Sequence, residues 1–396
     1  MQAASERLWL RPIRPRHVVA AILSCVCLVV LVTILAIPNG DAASIDPASP
    51  ASAPFSNTTA SVASHSSTGS SLGVYVQGNQ LVTSYGRPLQ LVGLNRSGSE
   101  YRCIQGYGIF DGPTDATAIA AMKSWHINAV RVPLNEDCWL GINGAKREYS
   151  GAAYRSEIKA FVQRLNAAGL YVILDAHWNA PGRSQAMTQQ SMLDADHGYA
   201  LWRSIASTFR SNQSVLFDLY NEPHNLGGSA QEEWRCWAQG CAGYAGMDRL
   251  VKAVRSAGAR NVILLAGLGW ASEDSEWLRY EPNDPLHQLA ATFHVYGGHS
   301  VCTEEECWSR TLVPLATHVP IVADEFGETH CGEAKEVAWL KSWMRYASTH
   351  GFSMLAWTWD TWPGKCSEGP TLITSYAGAP TPYGAAVKSY YARLGA

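Results

Sequence analysis

Charge is scarce in this sequence. Asp, Glu, Lys and Arg make up only 16% of 396 residues, and the net charge is −3. What basic excess exists sits in residues 1–17, which hold four Arg against one Glu, whereas residues 73–396 carry 26 basic and 30 acidic side chains. Without a basic domain, nucleic acid is excluded as a main partner. No two cysteines are spaced as a CxxC pair, so a zinc ribbon lacks its ligands. His177, His197, His224, His294 and His299 match no HExxH pattern, which leaves metal catalysis without a signature. No GxGxxG fingerprint follows the first candidate strand, and its absence weakens an open dinucleotide-binding sheet. What the chain does have is apolar material, at 47%, which excludes a disordered chain and supplies a large core. It also has fifteen Trp and seventeen Tyr, enough to call for aromatic surface somewhere.

The N-terminal 72 residues read as apart from the fold. Arg7, Arg11, Arg14 and Arg16 precede the uncharged apolar run at 18–38, the pattern of an export signal whose N-terminus stays inside. At a helical rise of about 1.5 Å per residue the run reaches roughly 30 Å, the thickness of a bilayer core. It is a cleaved signal peptide or a transmembrane signal anchor, the nearest small-x-small site being Gly40-Asp41-Ala42. Residues 39–72 follow as a linker, since 23 of the 31 residues at 42–72 are Ser, Thr, Ala or Pro. The predicted location is extracellular, secreted or tethered to the membrane through residues 18–38.

The cysteines agree with export. Cys25 and Cys27 lie in the apolar run, and the other eight form an even set suited to four disulfides. Spacing suggests Cys236–Cys241 and Cys302–Cys307 as loop pins, with Cys103–Cys138 and Cys331–Cys366 tying neighbouring loops.

Residues 73–396 alternate strand and helix. A hairpin over Val74–Pro88, turning at Gly78-Asn79, comes first. Eight apolar runs follow: Leu89–Asn95, Ala129–Leu134, Tyr171–Trp178, Val215–Pro223, Val262–Trp270, Leu289–Tyr296, Pro320–Gly327 and Ser353–Asp360. Amphipathic segments such as Ala116–Ser124, Tyr154–Ala168, Ala200–Arg210, Met247–Ala257 and Lys335–Ser348 separate them. This succession predicts an α/β fold, a (β/α)₈ TIM barrel with a short N-terminal hairpin.

In such a barrel, catalytic groups stand at the C-terminal ends of the strands. There the runs end in polar residues: Arg131, Asp175 with His177, Asn221-Glu222, His294 with Tyr296, Asp324-Glu325, and Trp357-Thr358-Trp359-Asp360. Glu222 and Glu325 end the fourth and seventh strands, facing each other across the mouth. Glycoside hydrolysis needs such a pair, one carboxyl as acid and, in a retaining enzyme, a second as nucleophile roughly 5 Å away. The two must differ in protonation, so one is expected to be kept neutral by its surroundings. Arg131 would hold Glu325 charged, Tyr296 would donate to it, and Asn221 would bind the sugar 2-hydroxyl. Trp139, Trp178, Trp270, Trp357, Trp359 and Trp362 fall at or just past strand ends, where rings stack on sugar faces.

Over about residues 74–390 the sequence resembles glycoside hydrolase family 5 of clan A, known for endoglucanases, mannanases and related β-glycanases. The resemblance rests on the ordered set Val76–Asn95, Arg131-Val132-Pro133, His177, Asn221-Glu222-Pro223, His294-Val295-Tyr296, Glu325-Phe326-Gly327 and Ala356–Trp359. It implies a retaining mechanism with Glu222 as general acid/base and Glu325 as nucleophile. Arg131, His177, Asn221, His294 and Tyr296 would complete the shell, and Trp357 or Trp359 would stack on the sugar. One departure stands out: Arg96 follows Gly93-Leu94-Asn95, where many family endoglucanases carry an aromatic residue.

The reading that follows is a monomeric retaining β-glycosidase, an endo-β-1,4-glucanase acting on a β-linked polysaccharide or oligosaccharide without cofactor or metal. Its rivals keep the chemistry on mannan, β-1,3-glucan, xyloglucan or a small β-glycoside, or make the barrel a binding module without catalysis.

Overall fold

The computed structural model describes residues 72–298, 300–328, 333–362 and 370–395. The predicted signal or anchor, the linker, His299 and the Cys331–Cys366 pair lie outside them. Among the described residues no helix is long and apolar enough to cross a membrane.

The chain opens with the predicted hairpin, β1 (Val74–Gln77) and β2 (Gln80–Thr83), paired antiparallel. Its turn places Gly78 at φ 61°, a conformation that favours a residue without Cβ. Eight parallel strands then close into a barrel: β3 (Val92–Asn95), β4 (Ala129–Asn135), β5 (Tyr171–Trp178), β6 (Val215–Asp218), β7 (Ile263–Ala266), β8 (Leu289–Tyr296), β9 (Ile321–Gly327) and β10 (Ser353–Ala356), with β10 returning to β3. Gly93 matters to this closure, because a Cβ there would overlap the Ala129 carbonyl of β4. The helices lie where the sequence pattern puts them, at Ala116–Lys123, Ala152–Ala167, Gly198–Phe209, Met247–Ser256 and Ala334–Thr349.

Three predicted strands end well before their apolar runs do. The fourth stops at Asp218, the fifth at Ala266 and the eighth at Ala356, so Asn221, Glu222, Trp270, Trp357 and Trp359 sit in the loops that leave the barrel. Apolar content continues past each strand because most of the residues that follow, Leu219, Tyr220, Leu268, Ala271 and Trp359 among them, are buried too.

Side chains alternate across a strand, so every second residue faces the barrel interior. The lowest interior layer is apolar: Leu91, Ala129, Ile173, Leu216, Leu264, Ala290, Val322 and Leu355 cluster with Val74 and Leu81 of the hairpin, which plugs that end. Two residues higher on four of these strands stand Arg131, Asp175, Asp218 and Asp324, all fully buried. The same step along the strands thus turns the core from hydrocarbon to charge. In β9 the alternation is broken: Thr292 pairs Val322 but His294 pairs Glu325, and Met354 pairs Ala323 but Ala356 pairs Phe326. One extra residue in β9 therefore opposes each neighbour. This bulge lets consecutive residues, Asp324 and Glu325, both reach the interior groups.

The disulfides Cys103–Cys138, Cys236–Cys241 and Cys302–Cys307 are formed as expected. The first joins the short helices Arg102–Gln105 and Glu136–Leu140 beside the barrel mouth. Such crosslinks suit an oxidising compartment outside the cytoplasm.

Candidate active site

Arg131 organises the polar layer. Its Nε and Nη2 both donate to Asp218 Oδ2 (3.1 and 2.7 Å). Nη1 donates to Asn95 Oδ1 (3.1 Å) and Glu325 Oε1 (2.5 Å), and Nη2 to Asn221 Oδ1 (2.8 Å). Asp175 and Asp324 lie 3.1 and 3.4 Å from the same guanidinium. Burial works against the cation, but the surrounding carboxylates outweigh it and hold Arg131 charged. The acids divide their protons. Burial and the neighbouring Asp324 push Asp218 well above the aspartate range, so it keeps its proton. Burial also works against charge on Asp324, yet Arg131 and His294 hold it below that range.

Glu325 ends up between two donors, Arg131 on Oε1 and the Tyr296 hydroxyl on Oε2 (2.6 Å). Burial and the nearby Glu325 charge push the Tyr296 phenol well up, so it remains a neutral donor. Glu222 and Glu325 share one nitrogen of His294, whose Nδ1 is 2.9 Å from Glu222 Oε1 and 3.6 Å from Glu325 Oε2, while Asp324 lies 3.2 Å from Nε2. Gln189 Nε2 reaches Glu222 Oε2 at 3.3 Å, and Gln189 Oε1 accepts from Asn221 Nδ2 at 2.5 Å. One oxygen of Glu222, one of Glu325 and a His294 nitrogen all lie within 4.8 Å of one another. That is close to the roughly 5–5.5 Å carboxyl separation of retaining glycosidases and shorter than inverting enzymes need.

The expectation that one glutamate is kept neutral is not met by Glu222 in the free protein. Burial raises its carboxyl, but the hydrogen bond and charge of His294 outweigh burial and hold it below the ordinary glutamate range. Burial opposes the His294 charge in turn, yet Glu325, Asp324 and Glu222 push the imidazole well above its usual value. The proton therefore rests on the imidazole of the His294–Glu222 pair.

His177 pairs with Asp175 through Nδ1 (2.6 Å), and its ring lies parallel to Trp357, with centroids 5.4 Å apart. Burial lowers the imidazole, but Asp175 raises it further, so the net direction is upward. Trp359 is a correction. It is 0% exposed and packs edge-on against Trp125 with centroids 5.0 Å apart, so it cannot meet a sugar. Trp139 is likewise buried and donates to Ser204. Trp270, by contrast, is 47% exposed, stacked on His224, in a cleft of about 320 Å³ lined by Glu222, Trp270, Ser272, Tyr296, Ser300 and Val301.

Arg96 is fully buried. It pairs with Asp111 at 2.8 Å and lies 4.9 Å from the centre of the Tyr376 ring. The departure from the family pattern therefore places an internal cation beside the mouth, not a charge facing the cleft. Asp218, Asn95 and Gln189 were absent from the sequence-derived site. Asp218 could have been found as the one acid closing the apolar run 215–218. Gln189 carries no local signal, since a loop without periodicity delivers it.

A family model described as cellulase (glycosyl hydrolase family 5) matches residues 82–362. Among curated relatives, a β-mannanase/endoglucanase A of Caldicellulosiruptor saccharolyticus is 25% identical over 251 residues, 61% of this chain and 16% of that protein. Endoglucanase CelA of Streptomyces lividans is 23% identical over 279 residues, 67% of this chain and 52% of that protein. The chain thus spans less than two thirds of either relative's length. A β-glucanase of Saccharophagus degradans, solved in complex with cellotetraose, superposes with TM-score 0.64 at 18% identity over 83% of this chain and 95% of that one. The last likeness is one of fold.

Proposed function

The chain belongs to glycosyl hydrolase family 5, and from that membership we propose a retaining β-glycosidase that cuts β-1,4-glucan internally, outside the cytoplasm. The observation that carries the proposal is the carboxyl pair within 4.8 Å, each member in a different hydrogen-bonding environment. Glu325 attacks the anomeric carbon and forms a glycosyl ester, while the glycosidic oxygen takes a proton from Glu222 and leaves. Water then enters, Glu222 removes its proton, and the oxygen attacks the anomeric carbon to release Glu325 as a carboxylate.

The proton reaches Glu222 from His294. When Glu325 becomes an ester its charge is gone, and with it the strongest of the charges that hold the imidazole protonated. Proton donation by the pair is then favoured as the bond to the sugar forms. Arg131 and Tyr296 fix both oxygens of the nucleophile, so little orientation remains to be lost on attack. Asn221, held by Arg131 and Gln189, is positioned for the sugar 2-hydroxyl. Trp357 and the exposed Trp270 offer the rings for sugar faces.

Incubation of wild type and Glu325→Ala with soluble β-glucans, mannan and xylan, followed by reducing-end assay and product sizing, tests this reading. Internal cleavage of β-1,4-glucan that disappears in the variant is the expected result. Full activity of Glu325→Ala would remove the mechanism, and cleavage of mannan alone would move the substrate.

A further inference from the structure

A second constellation of ligand-type side chains stands beside the barrel mouth, separate from the carboxyl pair. Glu136 begins the short helix after β4, while Asp194, Asp196 and His197 end the loop between β5 and helix Gly198–Phe209. Glu136 and Asp194 are 1% and 2% exposed, and the His197 side chain 23%. His197 Nδ1 faces three carboxylates, at 3.5 Å from Asp194 Oδ1, 3.7 Å from Glu136 Oε1 and 3.9 Å from Asp196 Oδ1. All three are ion-pair contacts longer than an ordinary hydrogen bond, and Nδ1 makes no hydrogen bond. The second oxygen of the buried Glu136 carboxylate has none either.

Ligand atoms spaced in this way suit a shared cation. Zinc-type bonds of about 2.1 Å in a tetrahedron put neighbouring ligand atoms about 3.4 Å apart. The ligand atoms of Glu136, Asp194 and His197 all lie within 4.8 Å of one another. Supporting contacts are in place as well. Asn179 Nδ2 donates to Asp194 Oδ2 (2.9 Å), the His197 amide to Asp194 Oδ1 (2.9 Å), the Ala180 amide to Glu136 Oε1 (3.4 Å) and the Gly182 amide to Asp196 Oδ2 (2.6 Å). Outer contacts of this sort orient metal ligands. One imidazole among carboxylates favours a divalent transition metal over Ca²⁺ or Mg²⁺, which prefer oxygen alone.

We propose that Glu136, Asp194 and His197, with Asp196 at the exposed edge, bind one divalent transition-metal cation that clamps the 179–197 loop. The site is structural and takes no part in the chemistry. Its consequence lies in what the loop carries. The Tyr220 hydroxyl donates to the Gln190 carbonyl (2.5 Å) and lies 3.0 Å from Asn179 Oδ1, and the adjacent Gln189 touches both Asn221 and Glu222. A clamp at Asp194 and His197 therefore fixes the segment that delivers Gln189.

The test uses the full chain, stripped with a chelator and dialysed, and does not depend on the reading of the glutamate pair. Bound metal is measured by equilibrium dialysis with Zn²⁺ and Mn²⁺, and with Ca²⁺ and Mg²⁺ in parallel. Thermal unfolding is followed with and without each ion. Wild type and Glu325→Gln are both expected to take up about one Zn²⁺ or Mn²⁺ per chain, with a higher unfolding midpoint on loading. Retention by Glu325→Gln separates this site from the carboxyl pair. His197→Ala is expected to weaken binding at least about 100-fold and to abolish the midpoint rise; His197→Gln takes its place if the alanine variant does not fold. No uptake by wild type at millimolar metal would show that a protonated His197 alone neutralises the cluster, and would overturn the proposal. Equal binding by the His197 variants, or preference for Ca²⁺, would overturn it too.

Discussion

Replacing Arg131 with lysine keeps the charge and removes the fork. Arg131 makes five hydrogen bonds, two to Asp218 and one each to Asn95, Asn221 and Glu325. Lysine has three donors on one atom, so at least two of the five are lost. Hydrogen bonds to charged groups contribute about 1.5–3 kcal/mol each, which places the loss at about 3–6 kcal/mol. That is a large part of the roughly 5–15 kcal/mol that holds a typical native protein together. The damage to turnover is expected to be greater than the stability loss alone would suggest. An ammonium seated near Asp218 cannot also hold Glu325 and Asn221, so the Glu325 carboxylate, the proposed nucleophile, loses its orientation, and misplacement by about 1 Å can cost about 100-fold.

Urea unfolding at neutral pH gives the first quantity, and steady-state hydrolysis of the preferred glycan, well below the unfolding transition, gives the second. Arg131→Met completes the comparison. It removes the charge from a layer with three buried aspartates, and loss of one partner from a buried ion pair costs about 3–5 kcal/mol. Both variants are expected to be destabilised, with Arg131→Met unable to recover at any pH at which the aspartates ionise. A lysine variant within about 1 kcal/mol of wild type and fully active would refute the reasoning, because the fork would then be dispensable.

Glu222→Ala is expected to lose about 10²–10⁴-fold on natural glycan but far less on aryl glycosides whose leaving group needs no proton, a split read from kcat on the two substrates. Activity is expected to follow a bell-shaped pH profile on the acidic side of neutral, set by the coupled carboxyl–imidazole system, and a flat profile there would count against it. Stability has its own pH dependence. His294 is raised above 6.5, so its contribution is complete below that pH and disappears as pH rises through the folded value. Glu222 is lowered below 4.5, so its contribution is complete above that pH and disappears as pH falls through the folded value. Urea midpoints should therefore form a plateau between these limits, and His294→Gln should flatten its alkaline side. Trp359→Ala should cost about 3–5 kcal/mol as a core truncation. Trp270→Ala should leave stability within about 0.5 kcal/mol and raise KM.

The barrel was legible because its strands are buried on both faces and its helices on one. That contrast writes continuous apolar runs between amphipathic segments, and the eight runs were countable without knowing their exact ends. The ends were less legible for the same reason. Where a loop is as buried as the strand before it, as at Leu219-Tyr220, hydropathy does not mark the boundary. Glu222, Glu325, Arg131, Asn221, His177, His294 and Tyr296, which the structure brings to one end of the barrel, were legible as candidates because a polar group at the end of an apolar run is conspicuous. Trp357 and Trp359 look alike in sequence, which leaves the choice between them open there, and only the packing of Trp125 against Trp359 tells which turns inward.

The bulge in β9 shows a deeper limit. Period two would put Asp324 and Glu325 on opposite faces, one inside the barrel and the other among the helices. In a strand buried on both faces either assignment is compatible with the hydropathy, so the sequence holds no sign that both turn inward. The electrostatics require that they do. Asp324 faces Arg131 and His294, and Glu325 faces Arg131 and Tyr296, so each acid has partners only inside the barrel. Leaving either among the helices would strand a buried carboxylate, at a cost of several kcal/mol. Asp218 completes the arrangement by keeping its proton. With its oxygen on Arg131 and Asp324 alongside, a neutral Asp218 relieves the repulsion that two adjacent buried anions would create. The site therefore depends on a fully buried residue, and Asp218→Asn, neutral at every pH, should retain more activity than Asp218→Ala, which also deletes the acceptor for Arg131.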